Sequence, residues 1–305
     1  MHGDGHPRMS DHWLAERIRL AAAAEAALMP VHAAFGVRAT DAQPGRIGFA
    51  QAMGPWLLDA HGRLCPGAFL VAADAALGSA IATTLPNDTS VMSLSIQAQF
   101  ATLDPALAGD FAVRGEIVMI GEASGFAAGT IMDDHGRLVA RISTQCGFLS
   151  VDAGVPPAVA PHVLQAADLW SDEVPTGEVG TLLAPIARRL AEVRIVSAAA
   201  GSLVLAAASV PNLRNGRGEM QGGVLGLLAE QAITACLVRD APPMATAETM
   251  ELDITFVRPV RADAPEVEVR AERDHGGRRF ALARATGRDG AGRLVFAASG
   301  SRYAP

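Results

Sequence analysis

Two long apolar runs set the pattern of this chain, and alternating stretches follow each of them. Pro66 to Leu85 and Gly222 to Val238 each hold a single carboxylate, Asp74 and Glu230, among Ala, Leu, Val and Ile. Runs of this length with no polar face predict helices buried on all sides. After the first, Leu94, Ile96, Ala98 and Phe100 alternate with Ser93, Ser95, Gln97 and Gln99. After the second, Leu252, Ile254 and Phe256 alternate with Glu251, Asp253 and Thr255. A period of two predicts half-buried strands. Further strands are predicted at Phe111–Ile120, Gly125–Met132 and Leu138–Leu149, the last two joined by the turn Asp133-Asp134-His135-Gly136. Val267–Glu272, Phe280–Gly287 and Leu294–Ser301 are their later equivalents. Ahead of the first run, a helix starts near Ser10 and runs to about Met29, and Val37–Thr40 and Arg46–Ala52 flank Pro44-Gly45 as short strands. Leu182–Leu190 reads as a short helix.

The two halves repeat. Glu230 and Asp74 are 156 residues apart, and the same offset relates Val193-Arg194 to Val37-Arg38, Pro211 to Pro55, and Phe256 to Phe100. Gly292-Arg293-Leu294-Val295 likewise follows Gly136-Arg137-Leu138-Val139. No insertion is needed between these points, so the chain is a tandem duplication. Each repeat is two short strands, one long helix and an antiparallel meander. The fold class is therefore α+β: two tandem hotdog domains, each a central helix wrapped by an antiparallel sheet, paired as an intrachain pseudo-dimer. The first domain takes residues 1–150, with 1–10 a disordered tail. A linker at 151–180 holds Pro156, Pro157, Pro161 and Pro175, and the second domain is 181–305.

Composition narrows the function. Of 305 residues half are hydrophobic and 5 % aromatic, and the net charge is −7 without a basic run. A nucleic-acid partner is excluded on those grounds. Three scattered cysteines, Cys65, Cys146 and Cys236, have no metal spacing and read as reduced thiols of a cytoplasmic protein. The two apolar runs each carry an acid, which argues for core helices rather than membrane spans.

Burying a lone carboxylate in apolar surroundings is costly. An acid at the same place in both repeats favours a functional reading over a packing accident. Gly222 and Glu230 are eight residues apart, about 12 Å along a helix. One helix therefore cannot bring its own N-terminal N–H groups and its own acid onto one carbonyl. A shared site requires the repeats to cross.

These residues resemble the PaaI-like acyl-CoA thioesterases of the hotdog superfamily. That signature is an Asn, a His-Gly-Gly six residues later at the helix start, and an acid nine residues beyond the His. The second repeat gives Asn215, Gln221-Gly222-Gly223 and Glu230 at those spacings; the first gives Asp59, Cys65-Pro66-Gly67 and Asp74. The resemblance implies that a glycine N–H polarises the thioester carbonyl while the partner repeat's acid acts as base or nucleophile.

Two composite sites result. One joins Asn215, Gln221, Gly222 and Gly223 to Asp74, with Ser93 or Ser95 as a hydroxyl. The other joins Asp59, Cys65, Pro66 and Gly67 to Glu230, with Thr249 nearby. Pro66 has no N–H to donate, and Asp59 adds a negative charge, so this second site is read as degenerate. The family's His is absent from both, replaced by Gln221 and Cys65. Arg258 and Arg261 could meet a coenzyme A phosphate, although solvated surface charge is the simpler account of both.

The resulting expectation is hydrolysis of an acyl-CoA, coenzyme A being part of the substrate, with no metal, no bound cofactor and no membrane, in a protein that forms homodimers. A non-catalytic acyl-CoA-binding protein is the alternative. A hotdog enoyl-CoA hydratase or dehydratase is a third, weakened by the absence of a His at either helix start.

Overall fold

A computed structural model describes residues 13–305 apart from 25, 60, 105–108, 151–181, 191, 262–263 and 265. The tail at 1–10, the Ser10 cap and the Pro-rich linker lie outside the described residues. The first half contains helices α1 (Trp13–Ala23), α2 (Pro30–Ala34) and α3 (Pro66–Ala82). Its strands are β1 (Val37–Gln43), β2 (Arg46–Gln51), β3 (Thr89–Phe100), β4 (Phe111–Ile120), β5 (Ser124–Met132) and β6 (Leu138–Ser150). The second half contains α4 (Pro185–Leu190) and α5 (Gly222–Asp240). Its strands are β7 (Arg194–Ala199), β8 (Ser202–Ala208), β9 (Thr249–Phe256), β10 (Glu266–Gly276), β11 (Phe280–Asp289) and β12 (Leu294–Tyr303).

Among the described residues twelve strands join one antiparallel sheet in the order β1-β2-β4-β5-β6-β3-β9-β12-β11-β10-β8-β7. Outward from the β3–β9 seam, both directions run through equivalent strands. At the seam Gln97 lies opposite Asp253, its own counterpart in the other repeat, and its Nε2 donates to Asp253 Oδ2 at 2.9 Å. Gln99 and Glu251 repeat that bond at 3.1 Å. The architecture is two tandem hotdog units paired as an intrachain pseudo-dimer.

Two expectations change. The meander comprises only β4, β5 and β6; β3 pairs with β6 instead of with β4. This placement leaves the other edge of β3 for β9, so neither strand ends as an unpaired edge. The first helix also stops short of Met29, at Ala23. Ala26 gives its carbonyl to the N–H of Ala39, and this contact to β1 takes the chain out of the helix.

Helices α3 and α5 are buried on nearly every face and cross each other inside the curled sheet. Glycine permits the crossing at matched points. A Cβ on Gly223 would lie 2.3 Å from the Leu70 carbonyl oxygen, and one on Gly67 2.8 Å from Leu227 Cα. Helix α5 is long and apolar enough to span a membrane, but 89 % of its apolar window is buried inside the protein.

Candidate active site

The helix crossing sets the middle of α3 against the start of α5. Asp74, eight residues into α3, meets the first turn of the other half's helix. The Gly223 N–H donates to Asp74 Oδ2 at 3.2 Å, and the Gly222 N–H contributes in the same sense. A Cβ on Gly222 would come within 3.1 Å of the same oxygen, so Gly222 admits the acid while Gly223 admits the backbone of α3. The Ser93 hydroxyl donates to Asp74 Oδ1 at 2.6 Å. Burial pushes the Asp74 carboxyl above the ordinary carboxylate range, while Ser93, Gly223, the charge of Arg217 and Gly222 pull it back.

Ser93 reaches the acid because β3 is bulged. Its register shifts between Ser93 and Ser95, where Ser95 faces Gln145 but Ser93 faces Cys146. Leu94 is the extra residue, so Ser93 turns from the outer row of Ser95 and Gln97 to the inner face. Strand β9 pairs with β12 without a shift. Thr249 therefore stays in the outer row with Glu251 and Asp253, and no contact joins it to Glu230. The uniform alternation read along 93–100 fails at this bulge, and with it the hydroxyl assigned to the second site.

Asn215 and Asp59 share a local task. Asn215 Oδ1 accepts the N–H groups of Arg217 and Glu219 at 2.9 and 3.2 Å. Asp59 Oδ1 accepts those of His61 and Arg63 at 2.8 and 2.9 Å. Each shapes the turn ahead of its helix, and the interchange of Asn and Asp leaves that turn intact. Gln221 spans the crossing: its Nε2 donates to the Val71 carbonyl at 3.1 Å, while its Oε1 is buried without a partner. Arg217, which the sequence reading passed over, reaches from the Asn215 turn onto β3. It donates to the Val91 carbonyl at 2.8 Å and pairs with Glu219 at 3.0 Å. It brings positive charge to the mouth of this site.

At the second crossing, Glu230 receives no backbone N–H from α3, whose first residue is Pro66. Its own helix holds it instead, through Gln231 Nε2 at 2.7 Å and Thr234 Oγ1 at 2.6 Å. The Cys65 thiol lies 3.6 Å from Glu230 Oε2, and burial followed by the Glu230 charge pushes that thiol well above its ordinary range. A thiolate nucleophile is disfavoured there. Arg258 donates to the Leu294 carbonyl at 3.0 Å from an exposed position, and Arg261 is exposed; neither touches either crossing. Among the described residues no group of three or more His, Cys, Asp or Glu gathers as a metal site.

Comparison with known proteins agrees with this architecture. Residues 218–296 match the family model described as Thioesterase superfamily. A putative thioesterase from Novosphingobium aromaticivorans superposes with a TM-score of 0.53 at 18 % identity, covering 87 % of this chain and all of the other. The chain is a double hotdog. The tesB protein of Mycobacterium avium subs paratuberculosis shares that fold at 14 % identity, TM-score 0.54, over 85 % of this chain and 92 % of its own. So does a hotdog protein of unknown function from Alicyclobacillus acidocaldarius, at 14 % identity and TM-score 0.56, over 92 % and 100 %. No curated protein sequence matches the double hotdog significantly.

Proposed function

We propose that this double hotdog is an acyl-CoA thioesterase of the PaaI-like type, working at the Asp74 crossing. One observation carries the reading: an acid from one half meets the N–H groups that open the other half's buried helix. A thioester carbonyl oxygen placed at Gly222 would gain its N–H and the positive end of α5. Asp74 then takes a proton from water as the water oxygen bonds to the carbonyl carbon. The tetrahedral intermediate collapses with cleavage of the C–S bond, and the proton passes to the departing thiolate. Attack by Asp74 itself, through a mixed anhydride that water then opens, uses the same geometry. Ser93 orients the acid in either case, and Gln221 Oε1 is an acceptor available to the water. The match of the trailing half to the thioesterase superfamily supports hydrolase chemistry in general.

One observation favours a non-catalytic acyl-CoA binder instead. Asp74 already occupies the Gly223 N–H and draws on that of Gly222, so a substrate oxygen must share or displace those bonds. Release of free thiol from a panel of short, long and aromatic acyl-CoAs decides between them. The thioesterase reading expects turnover that Asp74→Ala lowers at least about 100-fold. Binding without turnover on every member of the panel overturns it.

A further inference from the structure

We infer that the second crossing is a binding site for a small carboxylate anion, held by Arg302. Residue 302 stands on the inner face of β12, in the row of Ala298 and Gly300, and is 1 % exposed. Its Nε, Nη1 and Nη2 are all buried, and none has a hydrogen-bond partner among the described residues. The equivalent position in the first half is Cys146, so this guanidinium is peculiar to the second site.

A guanidinium does not shed its proton, and an unpartnered one in the interior is strongly disfavoured. The nearby acids bond to other groups and not to Arg302. Glu230 takes the amide of Gln231 on one oxygen and the hydroxyl of Thr234 on the other. Asp59 Oδ1 takes two backbone N–H groups of its turn. Both acids act on Arg302 through their fields, without a hydrogen bond. An acceptor supplied from outside completes the site.

The fork of three nitrogens matches the two oxygens of a carboxylate better than one water. Charge agrees with this choice. Arg302 and Arg63 lie near Asp59 and Glu230, and burial resists ionisation of Glu230, the acid whose charge most offsets the guanidinium. The packing beside Glu230 is tight: a Cβ on Gly67 would come within 3.0 Å of its Oε2. The ligand is accordingly short.

Thermal unfolding of the full chain in sodium formate, acetate, propionate or butyrate, against sodium chloride at equal ionic strength, tests this. A Tm that climbs with carboxylate concentration, but not with chloride, is expected. Arg302→Met should abolish the climb and Asp74→Asn should preserve it. Arg302→Lys, keeping the charge without the fork, should weaken binding about tenfold. No carboxylate-specific climb, a climb undiminished in Arg302→Met, or one removed by Asp74→Asn alone would overturn the assignment. Crystals of the unaltered protein soaked in formate give an independent reading. Planar density on the guanidinium supports the site, and water alone there refutes it. Neither measurement requires turnover, so the result stands apart from the thioesterase proposal.

Discussion

The two helix crossings descend from one duplicated plan, yet their acids live in different chemical surroundings. Asp74 is half-buried and bonded by groups from outside its helix: the Ser93 hydroxyl and the Gly223 N–H. Glu230 is buried and bonded mainly by Gln231 and Thr234 of its own helix, with the Cys65 thiol at 3.6 Å and a proline where the facing N–H would be. What the halves kept in common is structural. The turns at Asp133 and Asp289 each receive two backbone N–H groups and an arginine, from Arg137 and Arg293, in matching positions. Duplication thus preserves what folding needs in both copies and leaves one copy of the site free to change.

The largest expected difference is in turnover. Asp74→Asn should lower kcat at least about 100-fold, while Glu230→Gln should leave it within about twofold. Assaying both on one acyl-CoA measures it, and equal losses would erase the distinction between crossings.

Gly222→Pro comes next, because it copies Pro66 into the first site. Loss of one N–H aimed at a developing oxyanion should cost roughly 100- to 1,000-fold in kcat. Proline is well tolerated at the first position of a helix, so stability should change little. Gly222→Ala keeps the N–H and controls for crowding against Asp74; its fall in kcat should be the smaller of the two.

A third matched pair lies away from both crossings. His32 is buried against Phe49 with both ring nitrogens unpartnered among the described residues, and burial lowers its pKa to about 4; its counterpart is Arg188. Because the unfolded imidazole takes its proton near 6.5, the unfolded state binds more protons between these values. Stability should therefore fall on acidification from about pH 6.5 to 4, by up to about 3 kcal/mol. His32→Leu should flatten that part of a urea-unfolding profile.

The smallest effect separates the hydroxyls. Ser93→Ala should lower kcat about tenfold, and Thr249→Ala should change nothing. The Ser93 bond favours the ionised acid. Its loss should therefore move the acidic limb of the kcat/KM profile to higher pH, a shift that a purely structural role would not produce.

The sequence carried the architecture well because the 156-residue offset and the two apolar helices are periodic features. It also located both acids and the glycines at the crossings. It could not show the Leu94 bulge, since one unpaired residue leaves no mark on an alternating pattern yet reverses which face Ser93 occupies. Arg302 was hidden for a related reason. Near the end of a strand rich in small residues, an arginine reads as solvated surface until the inner row is identified. The roles of Asn215 and Asp59 were legible only in part: their spacing was visible, but the turn they hold needs backbone positions.

The central claim is that one working site is assembled from both halves, and a double-mutant cycle between Asp74→Asn and Gly222→Pro tests it most directly. Groups acting together on one carbonyl lose most of their effect at the first substitution, so the double variant should be little slower than the slower single variant. Losses in thioester hydrolysis that multiply would mean that the acid of the leading half and the helix start of the trailing half act independently, contradicting the account.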